Sequence, residues 1–361
     1  VSDGLYIKPL GIVFGAHAAQ AVEAGLALPL AGGPASFSAA ELIEGKPGAS
    51  KSVIARAGTL QAMEEPAIAQ RLEGLSAPRT AFAGVAMDRP RLMGIVNVTP
   101  DSFSDGGDFA DAEAAIAQAR RLAEAGADFV DVGGESTRPG SDPVSLEDER
   151  ARVIPVIEAL AGLSAPVSID TRKAAIMAEA AQKGAKVIND VSALTHDPDA
   201  LSAAAASGLP VILMHALGDP KTMQDDPHYD DVLLEVYDFL AARIAAAEAA
   251  GIAKERIAID PGIGFGKTLQ HNLTLLNGLS LFHGLGVPVL VGASRKRFIG
   301  ALDGEPEAKQ RVPGSIAAAL VAAAQGVQII RAHDVRETRQ ALRVWRSAVH
   351  GTPHGAEAEP A

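Results

Sequence analysis

From Arg91 onward the chain repeats one pattern: a short apolar, β-branched run, an abrupt set of polar residues, then a segment with apolar positions at helical spacing. The strand-length runs lie at Leu92–Val98, Phe129–Val132, Val167–Ile169, Val187–Ile188, Pro210–Met214, Ile257–Ile259, Pro288–Val291 and Gln328–Ile330. Helical periodicity comes next at Ala112–Ala125, Leu146–Leu160, Ala174–Gln182, Asp199–Ala206, Asp231–Ala250, Leu273–Leu279, Ser315–Gln325 and Val335–Val349. Near-continuous apolar strands alternating with helices predict a parallel sheet covered on both faces. Eight such units in about 260 residues match the size of an α/β (β/α)8 TIM barrel. The alternative, a doubly wound open sheet, normally has fewer strands and a Gly-rich first turn, which GIVNVTPDS is not.

Residues 1–88 read differently, as a small N-terminal α/β extension of accessory role. Tyr6–Gly15 predicts a strand and Ala16–Gly25 a helix stopped by glycine, with further short helices over Ser38–Glu44 and Met63–Gly74. Pro78–Pro90 reads as a linker to the barrel at 89–350. Residues 351–361, small and polar, read as a disordered tail.

Composition narrows the chemistry. The chain has no cysteine, which excludes disulfides, thiolate-bound zinc and a thiol nucleophile, and fits a reducing cytoplasm. There is no signal-peptide pattern and no charge-free apolar run of about 18 residues, so a soluble protein without membrane association is expected. The net charge of -12, nearly all of it after residue 90, argues against nucleic-acid binding by phosphate neutralisation. An anionic ligand then needs a local basic cluster.

In a barrel the active site lies at the C-terminal ends of the strands. The polar residues at the ends of the eight apolar runs are Asn97 and Thr99; Glu135, Ser136, Thr137 and Arg138; Asp170, Thr171 and Arg172; Asn189 and Asp190; His215; Asp260; Ser294, Arg295 and Lys296; Arg331, His333 and Asp334. Helix capping accounts for some of these, with Asp101, Thr171 and Asp334 the best candidates, and His215 suits a loop-orienting role as well as a ligand-binding one. Asp170, Asn189 and Asp260 are acceptor-rich and suit a planar heterocycle with a donor edge, such as an amino-pyrimidinone. Arg138, Arg295, Lys296, Arg331 and His333 suit a phosphate or diphosphate, since phosphate sites recur at strands 7 and 8 of barrels. Asn97 offers a neutral oxygen suited to Mg2+ on a diphosphate, or to bonding loop backbone.

Other motifs fall away. GIGFGKT (Gly262–Thr268) ends like a P-loop, but Pro261 stands where the first glycine is required, so it reads as a flexible βα loop. The nine histidines include no HExxH, and no serine lies in a GxSxG elbow.

The motifs MGIVNVTPDSFSDGG, GADFVDVGGESTRPG, SIDTRKA, INDVSAL, LMHALGDPKTMQ, DPGIGFGKT, VGASRKRFIG and IIRAHDV, in this order from Met93 to Val335, resemble the dihydropteroate synthase family. The resemblance runs over about Arg91–Trp345 and leaves residues 1–88 uncovered. It implies condensation of 6-hydroxymethyl-7,8-dihydropterin diphosphate with 4-aminobenzoate, dependence on Mg2+, a homodimer, and competition by sulfonamides at the aminobenzoate site. Asp170, Asn189, Met214, Asp260, Phe265, Lys296 and Arg331 then correspond to the pterin site, with Asp170, Asp260, Lys296 and Arg331 as its catalytic members. Asn97, Arg331 and His333 correspond to the diphosphate site, Asn97 being the metal ligand. Phe103, Thr137, Arg138, Pro139, Ser294 and Lys296 correspond to the aminobenzoate site, with Thr99–Gly107 as a mobile flap. One departure is Ala216 and Leu217, where the family usually has Met and Gln. A methyl-transferring pterin barrel should lack SRK at strand 7 and RxH at strand 8, and both are present. A catalytically silent pterin-binding or scaffold relative should lack a required residue, and none is missing.

Overall fold

The computed structural model describes residues 4–98, 107–136, 140–218 and 221–353. The N-terminal part runs β1 (Leu5–Phe14), α1 (Ala16–Glu23), β2 (Leu28–Leu30), β3 (Ala35–Glu44), β4 (Lys51–Arg56), α2 (Ala57–Gln61) and α3 (Pro66–Ser76). It folds as a four-stranded antiparallel sheet in which β3 pairs with β1, β2 and β4. The helix expected over Ser38–Glu44 is therefore strand. AAEL favours a helix locally, but pairing on both edges and burial of Phe37, Ala40 and Leu42 against Leu60 and Leu72 override that propensity.

The remainder alternates as expected: β5 (Arg91–Asn97), α4 (Gly107–Glu124), β6 (Phe129–Gly133), α5 (Leu146–Ala159), β7 (Val167–Asp170), α6 (Ala174–Gln182), β8 (Val187–Asp190), α7 (Ala200–Ser207), β9 (Val211–Met214), α8 (Val232–Ala249), β10 (Ile257–Asp260), α9 (Leu269–Asn277), β11 (Leu290–Val291), α10 (Arg297–Asp303), α11 (Val312–Ala324), β12 (Ile329–Ala332) and α12 (Val335–His350). The eight parallel strands run in the order β10-β9-β8-β7-β6-β5-β12-β11, and a parallel bridge between Ile259 and Val289 brings β10 to the β11 end. This is a nearly closed eight-stranded barrel wrapped in helices, with an antiparallel sheet at its N-terminus. Among the described residues no helix is long and apolar enough to cross a membrane.

Side-chain alternation along the strands sets the interior. Met93, Phe129, Val187, Ile212, Ala258, Leu290 and Ile329 form one apolar cluster, while their neighbours Val130, Ile188, Leu213, Ile259 and Ile330 join the larger core under the helices. The segment read as a linker contributes to the inner cluster. Phe82 and Val85 pair across a tight turn, and the buried Phe82 and Met87 close that end of the barrel, with the Phe82 ring 6.2 Å from that of Phe129. Two residues further along the strands the same period turns polar. Asp131, Asn189, Asp260 and Arg331 stand two positions beyond Phe129, Val187, Ala258 and Ile329.

Candidate functional site

The polar layer is joined by one guanidinium. Arg331 donates through Nε to Oδ2 of Asp131 at 2.7 Å and through Nη2 to Oδ2 of Asp170 at 2.9 Å. Asn189 Nδ2 donates to the same Asp131 oxygen at 3.0 Å. β12, β6, β7 and β8 thus meet through side chains at the C-terminal end of the barrel. Burial, followed by repulsion from Asp131, pushes the Asp170 carboxyl up to about 8 against the pull of Arg331. The same carboxylates hold Arg331 firmly protonated against burial.

Asp260 ends β10. Its Oδ1 accepts the Gly262 N–H at 2.7 Å, and burial, only partly offset by Lys296, raises its pKa. Asp260 and Arg331 flank Gly292, where a Cβ would lie 3.8 Å from Asp260 Oδ2 and 3.7 Å from Arg331 Cβ. Lys296 donates to the Ile263 carbonyl and stands 4.4 Å from the centre of the Phe265 ring. Burial lowers the Lys296 ammonium to about 8 while Asp260 opposes the shift.

The Gly262–Thr268 loop is braced rather than loosely held, contrary to the sequence expectation. Asn272 accepts the Gly264 N–H at 2.6 Å, Gln224 donates to the Gly264 carbonyl at 2.8 Å, and the Tyr229 hydroxyl donates to the Gly266 carbonyl at 2.8 Å. Beneath it the buried Lys267 ammonium donates to the Phe265 carbonyl at 3.0 Å and stands 2.9 Å from His215 Nδ1. His215 packs edge-on against Phe239 and is held neutral, its pKa near 2, first by burial and then by Lys267. The loop-orienting reading of His215 is the one its contacts support. Met214, just before it, is buried at the end of β9.

At strands 7 and 8, Ser294 Oγ lies 3.0 Å from His333 Nδ1 and accepts the His333 backbone N–H at 3.2 Å. Arg295 is not part of a free basic cluster. It forms a two-pronged ion pair with Asp334, through Nε at 2.9 Å and through Nη2, so Asp334 does not cap α12. Thr171 donates to Glu149 at 2.5 Å and accepts the Lys173 N–H at 3.2 Å, beside a network in which Glu135 binds Arg172 and Lys173. Among the described residues the Asn97 side-chain amide, at the end of β5, has no hydrogen-bond partner. Thr99, Asp101, Phe103, the flap expected over 99–107, Thr137, Arg138 and Pro139 fall on or overlap stretches outside the described residues.

Asp131 is the one member of the polar layer absent from the residues expected on sequence. Its signal is a carboxylate inside the apolar run FVDVG, whereas Asp170, Asn189, Asp260 and Arg331 each directly succeed their runs.

Comparison with known proteins agrees with this geometry. The pterin-binding enzyme family matches residues 93–333. Dihydropteroate synthase of Escherichia coli K12 is 52% identical over 264 residues, covering 72% of this chain and 93% of the relative. Xanthomonas albilineans dihydropteroate synthase, solved with 4-aminobenzoic acid, superposes with a TM-score of 0.70 at 53% identity, covering 77% of this chain and 97% of that one. The same enzyme solved with 7,8-dihydropteroate gives 0.67 at 50% identity, over 76% and 97%. The chain belongs to the dihydropteroate synthase family of pterin-binding enzymes.

Proposed function

We propose that the chain condenses 6-hydroxymethyl-7,8-dihydropterin diphosphate with 4-aminobenzoate, giving 7,8-dihydropteroate and diphosphate for folate synthesis. The observation that carries this reading is the meeting of an acceptor-rich set and a cationic set at the Arg331 guanidinium. Asp170, Asn189 and Asp260 suit the N–H edge of a pterin, with Met214, Phe265 and Lys296 completing the pocket. Arg331 keeps Nη1 without a partner among the described residues, and with His333 and Asn97 it suits the diphosphate. Ser294 and Lys296, with Phe103, Thr137, Arg138 and Pro139, form the aminobenzoate set.

The unbonded Asn97 amide fits Mg2+, which takes one or two protein oxygens and completes its shell with water and phosphate oxygens. When bound there, the ion neutralises charge on the leaving diphosphate. The protein's own groups do the rest. The methylene C–O bond breaks with its electron pair leaving on the diphosphate, which Arg331 and His333 hold. Positive charge spreads from the methylene carbon into the ring, where the Asp170 and Asp260 carboxylates stabilise it. The aminobenzoate nitrogen then bonds to that carbon and releases a proton. No protein nucleophile is used.

The test is an assay on the full chain with both substrates and Mg2+, tracking dihydropteroate by mass spectrometry and diphosphate enzymatically. Equimolar products, lost on chelation, are expected. Product formation unchanged by a chelator would contradict the assignment of Asn97, and no product at all would contradict the reaction. The family also supports a homodimer, and light scattering should return about twice the chain mass of 37.0 kDa.

A further inference from the structure

Asp131 lies inside β6 between Val130 and Val132 and has no exposed surface. Burying a carboxylate is costly unless donors meet it, and here both donors converge on Oδ2: Arg331 Nε at 2.7 Å and Asn189 Nδ2 at 3.0 Å. The other oxygen, Oδ1, is buried without a partner. Resting on the proposed function, we propose that Asp131 is a positioning residue that sets the orientation of the Asn189 amide and the plane of the Arg331 guanidinium, so that pterin meets an acceptor at Asn189.

The chemistry leaves one arrangement. A carboxylate oxygen accepts and an amide has one donating and one accepting end, so the nitrogen of Asn189 is drawn to Asp131. Its Oδ1, which has no partner among the described residues, is left as the end available to a ligand. With Asp170 and Asp260 it makes a third acceptor matched to an N–H edge. Turning the amide over would set oxygen against the Asp131 oxygen and a donor against the ligand's donor, losing two interactions at once. Arg331 is fixed similarly, since two of its nitrogens are tied to carboxylates on neighbouring strands.

The test measures binding of 6-hydroxymethylpterin to the full chain by calorimetry, together with KM for each substrate, in wild type, D131N, N189D and D131N/N189D. Removing one buried charge-assisted contact predicts that D131N binds the pterin at least ~10-fold more weakly, with KM for 4-aminobenzoate within about twofold of wild type. N189D, although a stronger acceptor toward ligand, is expected to bind more weakly because it cannot donate to Asp131. The double variant again holds one donor and one acceptor, with the sense reversed, and is expected to regain about threefold or more over D131N. Pterin binding by D131N within about twofold of wild type overturns the proposal, as does N189D binding as tightly as wild type, or a double variant no better than D131N. N189D keeps Asp131 and reads the proposal even if D131N does not fold. Wild type that binds pterin yet forms no dihydropteroate faults the assigned reaction and leaves Asp131 readable from binding, whereas wild type that binds no pterin overturns both.

Discussion

Asp170 and Lys296 carry opposite shifts that meet near the same pH. The productive form needs Asp170 as a carboxylate facing the developing cation and Lys296 as an ammonium. Asp170 takes up a proton as pH falls below about 8, and Lys296 loses one as pH rises above about 8. A plot of kcat/KM for the pterin substrate against pH is therefore expected to be bell-shaped, with both limbs near pH 8. Asp170→Asn should lose the acid limb along with most of its activity, and Lys296→Arg should move the alkaline limb upward because guanidinium stays protonated. A flat profile over about pH 6 to 9 in wild type would contradict the assigned roles. Asp170, Asn189, Asp260 and Arg331 are legible in the sequence because each ends or succeeds an apolar run. Asp131 is not, because the side-chain contacts that give it meaning come from β8 and β12 and only closure of the barrel brings them together. The pairing of Arg295 with Asp334 is hidden too, because it depends on β11 and β12 lying side by side in the sheet, which local pattern does not reveal.

At the scale of elements, the loop after β10 shows how backbone shape holds the pocket. Gly262 has φ 70°, and a Cβ there would lie 1.8 Å from the His215 carbonyl oxygen. Gly262→Ala must therefore displace the β9 end or the loop, and a loss of about 3 kcal/mol or more in urea unfolding is expected, with pterin binding impaired. Tyr229→Phe removes only the hydroxyl bond to the Gly266 carbonyl, and should cost about 1 kcal/mol and a few-fold in pterin affinity. Equal stability of Gly262→Ala and wild type would show that the close approach is not real. The eight strands and most helices of the barrel are legible from periodicity, because each buries one face or both at a fixed period. The strand β3 and the short helix α10 are not. In β3 two sheet edges outweigh local helix preference, and α10, Arg297–Asp303, is too brief for its period to register before Gly304 ends it.

On the scale of the whole molecule, the N-terminal sheet is fastened to the barrel by buried contacts. Tyr6 and Ile43 belong to the same apolar cluster as Tyr237 and Phe282, and the Tyr6 hydroxyl donates to Asp238 at 2.9 Å. Ser280 donates to the Pro9 carbonyl at 3.0 Å, and Arg79 donates to the carbonyls of Gly74 and His283. A chain shortened to begin at Met87 would expose Tyr237 and Phe282 and lose the Phe82 plug. Its thermal midpoint is expected to fall by about 5 °C or more, or the chain to aggregate, and a melt superimposable on that of the full chain would contradict this packing. The contacts of Tyr6 with Asp238, Ser280 with Pro9 and Arg79 with His283 cannot be read from local pattern, since they join residues more than 200 positions apart. The central claim is that the barrel mouth stabilises a pterin-centred cation with Asp170 and Asp260. The most direct measurement is single-turnover diphosphate release by wild type, Asp170→Asn and Asp260→Asn at saturating substrates, with circular dichroism confirming the fold. Loss of one preorganised charge facing the reacting centre predicts a fall of about 100-fold or more in each variant. Release at the wild-type rate in both folded variants would contradict the account.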